Sequence, residues 1–186
     1  MCNRNRGYMR TLADVQRDNL WPGGGFQGLP HDETNRAIAL REVLLSLPVN
    51  DYNCLRRKAD SFHYFIPDYD TLGMCMPFSY HDQEEPEEDI APNVNVLYLS
   101  PRLDRLAYST ALAVIAHEIA HLVLDHEMSC TSEQYDIQEE EAWARASTWG
   151  YEEDIRKYRA TIRRRETIEE ADMELLRESM RRDSSV

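Results

Sequence analysis

Residues 111–124 form an apolar run without Gly or Pro, broken only by His117, Glu118 and His121 within the segment His117-Glu118-Ile119-Ala120-His121. A run of this length without strict alternation predicts a buried helix. On a helix, residues four apart stand one above the other, so His117 and His121 offer two imidazole nitrogens to one point in space. Glu118 then falls beside that point. Burying two imidazoles and a carboxyl is costly unless they find partners, and a metal ion supplies one. The pattern is that of a helix on which two His bind zinc while the intervening Glu handles protons. These three residues are the first candidates for chemistry, His117 and His121 as ligands and Glu118 as general base.

A catalytic zinc takes a third protein ligand and keeps one open position. His126 follows His117 by nine residues. The metzincin arrangement needs a Gly and then a His ten residues after the first ligand, where this chain has Leu124 and Glu127. Asp125 lies one turn beyond His121 on the same helix, and three ligands from one straight helix would crowd one side of the ion. The segment from Ile137 to Ala146 begins a second helical pattern and approaches from another direction. It offers Glu139, Glu140 and Glu141, and helix geometry alone does not choose among them.

HEIAH, a polar connection, and then Glu139 eighteen residues after His121 in a Glu-x-x-Ala setting resembles the gluzincin arrangement, and most closely the ImmA/IrrE family of metallo-endopeptidases. The resemblance spans roughly residues 35–150 and includes a strand, Val94 to Ser100, before the HEIAH helix. It departs at Trp143, where relatives carry Asn or Asp as a polar support for the metal site. The family register implies Glu139 as third ligand, with Glu140 the alternative. It also implies zinc as cofactor and an α+β, zincin-like fold. In such a fold the HExxH helix packs on a second, Glu-bearing helix and on a small, mostly antiparallel sheet, here followed by a helical C-terminal tail. The activity implied is hydrolysis of a peptide bond in a cytoplasmic protein such as a DNA-binding repressor. The alternative is an inactive relative that keeps the scaffold to bind a partner. A second oxyanion donor is usual in such sites. Tyr135, Tyr151 and His126 are the candidates, and the role stays unassigned.

Composition sets the surroundings. The 186 residues carry a net charge of −13, which disfavours direct nucleic-acid or anionic-membrane binding by the whole molecule. No apolar run reaches a membrane span, and Met1 to Arg10 is too polar for a signal peptide, so a cytoplasmic location is expected. Cys2, Cys54, Cys75 and Cys130 are scattered without CxxC pairing and read as free packing thiols.

Three segments are expected: an N-terminal extension with a Gly-rich linker over 1–30, the metallopeptidase domain over 31–150 and a charged helical tail over 151–186. Thr34 to Leu47, capped by Asp32 or Thr34, reads as a core-facing helix and Leu55 to Phe62 as a second short one. His63 to Pro67, Thr71 to Tyr80 and Val94 to Ser100 read as strands. The last is either an interior strand or an edge able to pair with an extended peptide. Six acids among the nine residues from His81 to Asp89 read as an exposed loop. Six basic residues between Ile155 and Arg165, followed by an amphipathic stretch from Thr167 to Arg182, read as helices with charged faces.

Overall fold

A computed structural model describes residues 10–18, 20, 34–58, 62–65, 72–79, 93–126 and 131–164. The first helices are α1 (Leu12–Arg17), α2 (Asn35–Ser46) and α3 (Val49–Arg57), followed by strands β1 (Phe62–Phe65), β2 (Gly73–Ser79) and β3 (Asn93–Leu99). A 3-10 turn (Pro101–Arg105) leads into α4 (Tyr108–Leu124), then α5 (Ser132–Ala146). One π-helical turn (Ser147–Tyr151) joins α5 to a last helix, α6, over 152–164. The class is α+β. Gly150, at φ 101°, kinks the chain between α5 and α6 in a backbone region that other residues rarely enter.

The described sheet has the order β1-β3-β2. Strand β2 runs antiparallel to β3, with Gly73 opposite Leu99 and Ser79 opposite Asn93, whereas β1 is parallel to β3, with Phe62 opposite Asn95. The expected mostly antiparallel sheet is therefore mixed. The segment Val94 to Leu99 is interior, not an edge, and burial explains it: Leu97, Tyr98 and Leu99 are almost fully enclosed, as in a strand covered on both faces. The second short helix also needs correcting. It begins at Val49, straight after Pro48, and Phe62 already belongs to β1.

Helix α4 is the axis of the molecule, touching α2, α3, α5, β2 and β3. Ala111, Ala113, Ile115, Ala116, Ile119 and Ala120 are wholly buried, each Ile contributing roughly 1.5–3 kcal/mol by leaving water. The small residues let neighbours approach closely, and Ala142 and Ala146 of α5 answer them with full burial. Helix α2 starts at Thr34, whose hydroxyl accepts from the Ala37 N–H. Its Arg36 is buried: the guanidinium donates to Leu99 O at 2.9 Å and pairs with Asp104 at 3.0 Å, while its Nε has no hydrogen-bond partner among the described residues. That charge ties α2 to the end of β3 and so fixes where α4 begins.

The buried core draws on residues from either side of positions 30 and 150. Val15 and Leu20 join the same buried cluster as α2 and α4, and so do Tyr151 and Ile155. Arg10 donates to the carbonyls of Leu44 and Leu47 at 3.1 Å, capping the end of α2, and its guanidinium lies over the Tyr52 ring. The Gly-rich stretch, the acidic loop at His81–Asp89 and residues 165–186 lie outside the described residues. No described helix is long and apolar enough to cross a membrane.

Candidate metal centre

The HEIAH turn of α4 faces α5. His117 and Glu118 are buried, and the His117 Nε2 stands 3.0 Å from the His121 Nε2. Helix α5 is started by a reciprocal cap in which Thr131 N–H donates to Gln134 Oε1 and Gln134 N–H to Thr131 Oγ1. Further along α5, Glu139 reaches the histidines, with one carboxylate oxygen 3.2 Å from His117 Nε2 and the other 3.3 Å from His121 Nε2. The two imidazole nitrogens and the two oxygens of Glu139 thus converge, with neighbouring atoms 3.0, 3.2 and 3.3 Å apart. Ligands at about 2.0–2.1 Å around a tetrahedral ion are about 3.3 Å apart. The group is therefore of the right size and type to hold a metal ion, and two imidazoles with a carboxylate suit zinc.

The neighbouring acids are engaged elsewhere. Glu140 accepts from Arg159 at 3.0 Å, and Glu141 pairs with His126 at 3.2 Å. Asp125 ends α4 and accepts from Lys58. Cys54 and Cys75 are free thiols, and burial pushes the Cys75 thiol well up; Cys2 and Cys130 lie outside the described residues. Of the three candidate oxyanion donors, the Tyr151 hydroxyl is taken by Ser46 Oγ at 2.7 Å and the His126 ring by His121 and Glu141. Tyr135 remains half exposed on α5, four residues before Glu139. Burial, and then the Glu139 carboxylate beside it, push its hydroxyl up.

Electrostatics set the protonation of the group. Burial lowers the His117 pKa, which keeps a lone pair available. Burial pushes Glu139 up, but the hydrogen bonds and charges of both imidazoles outweigh it and hold the carboxyl below the usual range. Glu118 moves the other way. Burial and the adjacent Glu139 charge push it up to about 8, with only a hydrogen bond from the Cys75 backbone opposing them. It can carry a proton near neutral pH.

Four contributors were not visible from spacing. Gly73 in β2 lies against Glu118, and a Cβ there would stand 2.8 Å from Glu118 Cγ and from Val114 Cγ1; an isolated Gly inside a strand pattern is a recognised sign of such close approach. Trp143, one turn after Glu139, stacks on His117 with ring centres 3.8 Å apart and planes at 21°. From α6, Tyr158 meets the Trp143 ring at 5.8 Å and Arg159 lies 5.1 Å over it. The charged tail thus backs the candidate centre through Trp143.

Comparison with protein-family models, with curated proteins and with solved structures finds no significant match.

Proposed function

We propose that the chain is a zinc-dependent endopeptidase of the ImmA/IrrE type, with a zincin-like fold, acting on a cytoplasmic protein such as a DNA-binding repressor. The observation that carries this reading is the convergence of His117, His121 and Glu139 with Glu118 buried beside them. Zinc held there would supply Lewis acidity, polarising a peptide carbonyl and acidifying water. Held ionised by a cation that offsets the Glu139 charge beside it, Glu118 would take the proton from the attacking water and return it to the leaving amine. Gly73 and the Cys75 N–H keep its carboxyl against β2. Because β2 is an outer strand of the described sheet and lies against Glu118, an extended peptide added along it would pass the reacting groups.

One observation favours the second reading, a scaffold kept for binding: His117 Nδ1 is buried with no hydrogen-bond partner among the described residues, and Trp143 offers its ring only a face. The two separate in one experiment. Elemental analysis of the purified protein is expected to find about one zinc per chain, kept in Glu118→Gln and lost in His117→Ala and Glu139→Ala. Peptide cleavage should vanish in Glu118→Gln while zinc stays. Zinc bound but Glu118→Gln without effect on any turnover would favour the scaffold, and no zinc in the wild type would remove the metallopeptidase reading.

A further inference from the structure

His126 is excluded as a ligand by its spacing, yet both of its ring nitrogens find partners. Helix α4 ends at Asp125 in the left-handed conformation, φ 57°. Lys58 holds this turn by donating to Leu122 O and to the Asp125 carboxylate. The reversal brings the His126 N–H onto His121 O at 3.2 Å and folds the His126 ring back to 4.9 Å from the His121 ring. Its side chain is only 9% exposed. The two Nδ1 atoms are 2.8 Å apart, and His126 Nε2 is 3.2 Å from Glu141 Oε2.

Counting protons along this chain leaves one arrangement for neutral rings with a single mismatched contact. An ionised carboxylate only accepts, so Glu141 requires the proton of His126 on Nε2. His126 Nδ1 is then bare and accepts, which requires the proton of His121 on Nδ1. The His121 Nε2, 3.0 Å from His117 Nε2 and 3.3 Å from Glu139, is left with its lone pair exposed. A bare imidazole nitrogen faces Glu139 in either polarity, because the 3.0 Å His117–His121 contact has room for one proton; the reverse polarity would add a bare His126 Nε2 against the Glu141 carboxylate, a second pair of facing acceptors at 3.2 Å.

We propose that His126 and Glu141 are positioning residues that lock His121 in its Nδ1–H tautomer and so aim a bare Nε2 into the His117–Glu139 group. As a use of that Nε2, metal binding, this rests on the function proposed above; as a statement about tautomers it does not. A carboxylate behind a ligating His is a common support for metal sites. Here a second imidazole is inserted between them, letting an acid on α5 control a ring on α4.

The test is imidazole nitrogen NMR of the full, metal-free chain at a pH where the rings are neutral. The expected result is His121 as Nδ1–H and His126 as Nε2–H, with His121 becoming a mixture of tautomers in Glu141→Ala and His126→Ala. The side-chain amide oxygen introduced by His126→Asn can still accept from His121, so that variant should restore the Nδ1–H form. Glu141 is largely exposed, so its variant reports on the proposal without threatening the fold. Zinc titration against a chromophoric chelator is expected to show affinity falling about 10–100-fold in His126→Ala and recovering in part in His126→Asn. His121 found as Nε2–H in the wild type, or unchanged in both Ala variants, would overturn the proposal. Failure of the wild type to bind zinc would overturn the peptidase reading and leave the tautomer result to decide this one.

Discussion

His117 and His121 stand one turn apart on α4 and present the same nitrogen to Glu139, yet they are held by different physics. His117 belongs to a dry half. Its ring lies flat on Trp143, its Nδ1 has no described partner, and the adjacent Glu118 is buried against Gly73 and Val114. His121 belongs to a wired half, where His126 and Glu141 continue it by hydrogen bonds to the protein surface. Stacking fixes the plane of a ring and is indifferent to where its proton sits; a hydrogen-bond chain fixes the proton as well. One histidine is therefore set by packing and the other by polarity, and substitutions should separate the two.

The largest effect is expected in the dry half, at Glu118. The folded protein holds its proton up to about pH 8, against 4.5 for an ordinary Glu. Folding of the metal-free chain is thus undisturbed by Glu118 below pH 4.5 and loses stability as pH rises through this window. The loss totals on the order of 4 kcal/mol by about pH 8. His117, whose buried ring resists protonation, acts in the opposite direction, so the informative quantity is the difference between wild type and Glu118→Gln. Urea unfolding after chelation should show the variant gaining on the wild type steadily as pH rises. Equal pH profiles would mean that water reaches Glu118 and that this half is not dry.

A smaller effect is expected at Trp143. Its ring is half-buried between His117 and the α6 side chains Tyr158 and Arg159. Trp143→Ala should cost about 2 kcal/mol, below the range for a fully buried Trp, and Trp143→Phe about half that, because a ring remains for His117 to stack on. Urea midpoints measure both. If the two substitutions cost the same, packing volume and not stacking holds His117, and the contrast between the halves weakens.

Much of this arrangement was legible in the residues, and the misses have physical reasons. Helices α2 and α4 announce themselves because one long apolar periodicity maps onto one buried face. Glu139 could be chosen over Glu140 only by the family register, since three consecutive acids look alike; the fold separates them by giving Glu140 to Arg159 and Glu141 to His126. Helix α3 was placed late because one of its inward residues is Asp51, which accepts from Trp149 Nε1 ninety-eight residues away, and a polar residue on an inward face breaks the pattern that marks a helix. The interior place of β3 was in fact signalled by Val96-Leu97-Tyr98-Leu99, a run apolar on both faces. The role of His126 was hidden because ligand spacing assumes a continuing helix, and the left-handed turn at Asp125 returns the ring to a place no helical count would put it.

The smallest effect is expected at that turn. A residue other than Gly at φ 57° costs about 1 kcal/mol, so Asp125→Gly relieves strain. The substitution also removes the carboxylate that Lys58 holds, but that side chain is 74% exposed, and such a pair contributes about 0–1 kcal/mol. Lys58 still has Leu122 O to donate to. The two changes should nearly cancel, leaving stability within about 1 kcal/mol of wild type by urea unfolding, with His121 still in its Nδ1–H form. Asp125→Val makes the sharper contrast, because a β-branched side chain resists the left-handed region. It should loosen the turn and release His126 while Trp143 keeps its hold on His117. A loss well above 1 kcal/mol in Asp125→Gly would mean that the Lys58–Asp125 pair, and not the backbone reversal itself, keeps the wired half in place.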